Sequence, residues 1–123
     1  MHGTYKVLVV DDSPFIFKAV KKALEPNGFE IVDNAPNGQV GLEMYEQYKP
    51  DVITMDVTMP VMDGIEAARA LFEINKNVKI VILSAMGDDA LVSQAKEIGV
   101  KHFVTKPFKA DDLLSTVRQV LGG

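Results

Sequence analysis

Two hydrophobic rhythms alternate along this chain. The first is the short apolar run. Val7-Leu-Val-Val10, Val52-Ile-Thr-Met55 and the segment Val78 to Leu83 are rich in β-branched residues and too short for helices, which predicts buried strands. Phe29 to Ala35 carries Ile31 and Val32 among polar neighbours and predicts a more exposed strand; Phe103-Val104 predicts a short fifth one. The second rhythm is helical. It runs through Phe15, Ile16, Ala19, Val20, Ala23 and Leu24, then Val40, Met44, Tyr45 and Tyr48, then Ile65, Ala68, Leu71 and Phe72. It returns in Leu91, Val92, Ala95 and Ile98, and most clearly in Ala110, Leu113, Leu114, Val117, Val120 and Leu121.

Polar residues punctuate the two rhythms. Ser13 caps the first helix, with Pro14 at its first position. Asn37-Gly38, Asp63 and Asp88 start the next three helices, and Gly28 and Gly99 follow the ends of the first and fourth. Gly64 is expected to supply an unusual backbone angle in the loop after the central strand. Strand and helix thus alternate five times without a linker or repeat. That pattern predicts an α/β fold, a doubly wound parallel sheet with helices on both faces, and a single domain over residues 1–123.

Composition narrows the function. The 123 residues suffice for one independent core, and 47% hydrophobic with 24% charged residues is ordinary for a globular chain. A net charge of -4 weighs against general nucleic-acid binding. No cysteine is present, which removes disulfides and thiolate metal sites. No run reaches membrane-spanning length, and polar Thr4 and Lys6 interrupt any signal-peptide core, so the expectation is a cytoplasmic protein without membrane insertion. His2 is terminal, and His102 begins a strand with no partner at ligand spacing, which reads as structural or solvated.

The chemistry lies at the strand ends. Strand one ends in Asp11-Asp12, strand three in Asp56, strand four in Ser84 and strand five in Lys106. A parallel sheet brings carboxyl-terminal ends to one edge, where open α/β sheets bind ligands. Three carboxylates brought together there repel one another, and a hard divalent cation with oxygen ligands, such as Mg2+, relieves the repulsion. A carboxylate is also a nucleophile for phosphorus, which makes Asp56 a candidate phosphoacceptor. Magnesium, the Lys106 ammonium and the Ser84 hydroxyl are then candidates to stabilise the oxygens of the moving phosphoryl group.

Val9-Val-Asp-Asp-Ser13, Met55-Asp-Val-Thr-Met-Pro-Val-Met-Asp-Gly64, Leu83-Ser-Ala85 and Lys106-Pro-Phe108 resemble the receiver domain of two-component response regulators, most of all stand-alone chemotaxis regulators of the CheY type. The resemblance covers essentially the whole chain. It implies a flavodoxin-like five-stranded sheet in the order 2-1-3-4-5. It implies phosphorylation of Asp56 by a sensor histidine kinase, with magnesium on Asp11, Asp12, Asp56 and the backbone carbonyl of Thr58. Ser84 and Lys106 become phosphoryl sensors, and Phe103 falls at the family's aromatic switch position. The implied protein is a monomeric signalling module that assists its own phosphoryl transfer and dephosphorylation. Its partner is a downstream protein, a flagellar motor or a phosphatase, met through the face of helix four, strand five and helix five.

Two departures concern the chemistry. Phe103 lacks the hydroxyl of the Tyr found in many relatives, and Thr58 and Met86 replace the amide and acid that fast-turnover relatives carry. Other readings remain at this point. The chain fits a receiver cut from a longer transcription regulator or hybrid kinase. An aspartyl-nucleophile phosphatase fits less well, because Thr58 stands where such enzymes want a second acid. A flavin carrier is disfavoured by the acidic loop after strand one.

Overall fold

A computed structural model describes residues 4–122; His2 and Gly123 lie outside them. The strands are β1 (Tyr5–Val10), β2 (Phe29–Ala35), β3 (Val52–Asp56), β4 (Ile80–Ser84) and β5 (His102–Thr105). The helices are α1 (Pro14–Leu24), α2 (Gly38–Tyr48), α3 (Gly64–Ile74), α4 (Asp89–Ile98) and α5 (Ala110–Val120). All strand pairings are parallel, in the order β2-β1-β3-β4-β5. The chain therefore reverses its direction of travel across the sheet between β1 and β3, and the loops after those strands border one crevice.

Strand periodicity divides the core into two layers. Leu8, Val10, Ile53, Met55, Ile80 and Ile82 face Tyr45, Ala67, Ala68, Leu71 and Ala95 of α2, α3 and α4. Val7, Val9, Val52, Val81 and Leu83 face Val20, Ala23, Leu24, Leu113 and Val117 of α1 and α5. Residues of β1, β3 and β4 are buried on both faces, which explains their near-continuous apolar runs. Each fully buried Leu or Val contributes about 1.5–3 kcal/mol against exposure. Edge strand β2 is only part-buried, as its polar neighbours predict. No helix among the described residues is long and apolar enough to cross a membrane.

The caps largely follow the sequence. Ser13, Asn37 and Asp63 accept the amides of Ile16, Val40 and Glu66. Asp88 does not cap α4. Its carboxylate turns back to accept the Ala85 amide at 2.8 Å, closing the β4–α4 loop instead. The helix α1 ends at Leu24, and a 3-10 turn over Glu25–Asn27 carries the chain to left-handed Gly28. Phe15 keeps the helical spacing but is 82% exposed and lies outside the core.

Candidate functional site

The central loop is built by close packing. Gly64 does not adopt a left-handed angle; Val61 does, at φ 68°. What Gly64 provides is room. A Cβ there would strike the carbonyl of Asp56 and lie 2.8 Å from the Val57 Cα. Its amide donates to the Val57 carbonyl at 3.0 Å, and Val57 donates to Leu83 of β4 at 3.3 Å. Val57 and Met59 are buried beneath the loop. Gly38 likewise admits the Met62 carbonyl, which accepts its amide at 2.9 Å. The segment that follows Asp56 is thereby fixed to both β4 and α2.

Asp11, Asp12 and Asp56 each bring a carboxylate oxygen within 4.8 Å of the others. Asp11 ends β1 and is 1% exposed, Asp56 ends β3 and is 8% exposed, and Asp12 is open to solvent. Lys106 Nζ reaches Asp11 Oδ2, 95 residues away in the sequence, at 3.3 Å and Asp56 Oδ1 at 3.2 Å. Its position is fixed from the backbone: the Lys106 amide donates to the Ser84 carbonyl at 2.6 Å, extending the β4–β5 ladder. Along the chain Asp11 and Asp12 have no basic neighbour; the fold supplies one through β5.

Burial pushes the Asp11 carboxyl up from its ordinary value. The Ser13 amide, which donates to its Oδ1 at 2.9 Å, opposes that rise, the Asp56 charge adds to it, and the Lys106 ammonium opposes it. Three carboxylates against one ammonium leave a formal excess of two negative charges, which a divalent cation cancels. An all-oxygen donor set with a water-facing side at Asp12 suits a hard ion such as magnesium.

Ser84 is buried at the end of β4, beside Thr105 of β5. Thr58 is exposed, and its amide faces Asp56 Oδ1 at 3.4 Å. Phe103 lies on β5, half-buried against the α2–α3–α4 layer, with Lys96 Nζ 5.6 Å from its ring centre. The fold thus brings Asp11, Asp12, Asp56 and Lys106 into direct proximity and sets Phe103 apart on β5. Beside Lys106 runs a groove of about 580 Å³ lined by Phe15, Ile16, Met86, Pro107 and Phe108, with Met86 95% exposed. Asn34 is a neighbour of the site that the sequence pattern does not single out: its side-chain amide donates to the Val9 and Asp11 carbonyls. The available signal was an Asn inside a strand, where that residue is depleted.

A five-stranded doubly wound sheet with an acidic triad and a lysine at its switch-point crevice defines a receiver-type signalling module. The response regulator receiver domain profile matches residues 7–118, and the chain belongs to that family. It is 41% identical to the chemotaxis protein CheY of Bacillus subtilis, covering 95% of this chain and 98% of that one. It is 39% identical to CheY of Thermotoga maritima, covering 94% and 96%. The solved CheX-CheY-BeF3-Mg2+ complex from Borrelia burgdorferi aligns with a TM-score of 0.88 at 35% identity, covering 94% of this chain and 88% of that one. The chain is a receiver domain closely related to CheY.

Proposed function

We propose that this receiver works as the phosphoacceptor of a chemotaxis-type phosphorelay, taking a phosphoryl group from a sensor histidine kinase onto Asp56. The observation that carries the reading is the pairing of Asp56 with Lys106 at 3.2 Å inside the acidic crevice. The chemotaxis names of its relatives support this class over a receiver of a transcription regulator or hybrid kinase. In the reaction an Asp56 carboxylate oxygen attacks phosphorus while the phosphorus–nitrogen bond to the donor imidazole breaks. The imidazole leaves with that electron pair and takes a proton from water; the product is an aspartyl phosphate.

Asp11, Asp12, Asp56 and the Thr58 carbonyl would hold magnesium, which when bound neutralises charge on the phosphoryl oxygens. Lys106 and the Ser84 hydroxyl sense two of those oxygens, and through them the chain assists its own phosphorylation and dephosphorylation. A move of Ser84 toward the phosphoryl group frees space along β4 that the Phe103 ring fills. That ring has no polar tip to keep near water and already packs against the core layer, which favours appreciable activity without phosphate. The output surface is the α4–β5–α5 face, offered to a downstream protein. The apolar groove beside Lys106 gives a protein donor a surface next to Asp56.

Intact mass after incubation with acetyl phosphate tests this reading. One added phosphoryl group is expected with magnesium and none without it, and hydroxylamine should remove it. Stoichiometric labelling of Asp56→Asn at another residue contradicts the assignment.

A further inference from the structure

A side chain from the neighbouring strand is hydrogen-bonded to the backbone of the acidic pair. Pairing between β1 and β2 slips at a bulge, so that Val7 faces Ile31 while Leu8 already faces Asp33. The slip sets Asn34 opposite Val9 and Ala35 opposite Val10. From there Asn34 Nδ2 lies 3.2 Å from the Val9 carbonyl, 3.2 Å from the Asp11 carbonyl and 3.5 Å from the Ala35 carbonyl. The Asp11 amide donates to that same Ala35 carbonyl at 2.9 Å. One side-chain amide thus spans the last stretch of backbone before Asp12.

The two acids are held differently. The Asp11 carboxylate is tied to the Ser13 amide and to Lys106. Asp12 is exposed, and no side-chain hydrogen bond among the described residues orients its carboxylate. Its direction is therefore set by its backbone, beginning with the peptide unit whose carbonyl belongs to Asp11. Asn34 donates to that carbonyl.

We propose that Asn34 is a positioning residue for the cation site: its amide fixes the Asp11–Asp12 peptide plane and so aims the Asp12 carboxylate at the space shared with Asp11 and Asp56. The inference rests on the reading of that triad as a divalent-cation site. Without the amide the peptide tilts toward water, and ordering Asp12 becomes part of the cost of binding. Groups that orient metal ligands from outside carry about 10–100-fold in affinity, and the lower end suits a carbonyl contact.

Titration of the full chain with Mn2+, followed by electron paramagnetic resonance well below the melting temperature, tests the proposal. Asn34→Ala and the shape-keeping Asn34→Leu are compared with the unmodified chain, and Asp12→Ala serves as control. The expected result is roughly tenfold weaker Mn2+ binding in both Asn34 variants, each still folded by circular dichroism. Binding within twofold of the unmodified chain, together with a lowered melting temperature of the metal-free protein, assigns Asn34 a purely structural role and overturns the proposal alone. Failure of the unmodified chain to bind Mn2+, or full binding by Asp12→Ala, overturns the site reading and the proposal with it. If only one of the two Asn34 variants folds, its affinity alone decides between these outcomes.

Discussion

The loops after β3 and β4 leave the same edge of the sheet one strand apart, yet they are built in opposite ways. After Asp56, Val57 and Met59 are buried, and Gly64 lies against the Asp56 carbonyl. After Ser84, Ala85, Met86 and Gly87 are exposed, and a Cβ at Gly87 would meet nothing within 4 Å. Among the described residues, Asp88 closes that loop, through two contacts with the Ala85 backbone. The candidate acceptor carboxylate is thus fixed to the core, while the candidate sensing hydroxyl begins a segment with little to hold it. Under the proposed function, a phosphoryl group held at the fixed point would draw the sparsely held loop after Ser84 toward it, and the asymmetry would give the proposed switch its direction.

The largest expected effect comes from removing the close approach on the fixed side. Gly64→Ala pushes a methyl group into backbone that cannot move without carrying Asp56 along. Denaturant unfolding should show a loss of about 3 kcal/mol, and acetyl phosphate labelling should fall with it. Gly87→Ala, with open space but a φ of 96°, should cost only about 1 kcal/mol. Equal costs at the two positions would erase the contrast between the loops.

The next effect is kinetic. Hydrolysis of the aspartyl phosphate needs a water held in line with phosphorus, and Met86 offers no polar group while Thr58 offers a short one. Phosphate loss from Thr58→Asn with Met86→Glu should be faster than from the unmodified chain. An unchanged or slower rate would detach these exposed positions from the chemistry.

Asp11 gives the comparison a pH dependence. Its carboxyl is raised in the native state, so the native state holds the proton more tightly than the unfolded chain. Its burial cost is absent below the unfolded value near 3.8 and fully felt once pH exceeds the native value. In the metal-free protein Asp11→Asn should therefore raise the melting temperature by a few degrees at neutral pH. The advantage should shrink as pH falls toward 3.8. An advantage that grows on acidification would mean that the native carboxyl is lowered rather than raised.

The smallest effect lies in the strand behind the fixed loop. Thr54, between Val9 and Val81 on β3, carries the buried hydroxyl that lacks a partner among the described residues. Thr54→Val keeps the shape and removes that group, and should stabilise the chain by about 1 kcal/mol in thermal unfolding.

Much of this architecture is legible in the sequence because it rests on local rules. Apolar runs place the strands, helical spacing places the helices, and Asp11, Asp56 and Ser84 mark where strands reach the crevice. The strand order followed from resemblance, since alternation alone does not say which strands are neighbours. What stayed hidden depends on contacts between distant segments. The sequence places Lys106 on the same edge as the acids, but not its 3.3 Å pairing with Asp11 across 95 residues. Gly64 reads as a flexible turn residue until the Asp56 carbonyl is seen against it. Asp88 has the spacing of a cap, but the Ala85 amide claims its carboxylate. Phe15 keeps the helical rhythm, yet it is 82% exposed and lines the groove beside Lys106.

Amide hydrogen exchange, resolved by residue and compared with and without beryllofluoride and magnesium, tests the claim of a fixed acceptor beside a movable sensor most directly. In the free protein Val57 and Gly64, whose amides are hydrogen-bonded, should be protected, while Met86 and Gly87 exchange nearly as fast as an open chain. With the phosphoryl mimic, exchange across Ala85 to Asp88 should slow by about tenfold while Gly64 changes by no more than about twofold. A loop after Ser84 that is already protected in the free protein, or one that the mimic leaves unchanged, would contradict the account.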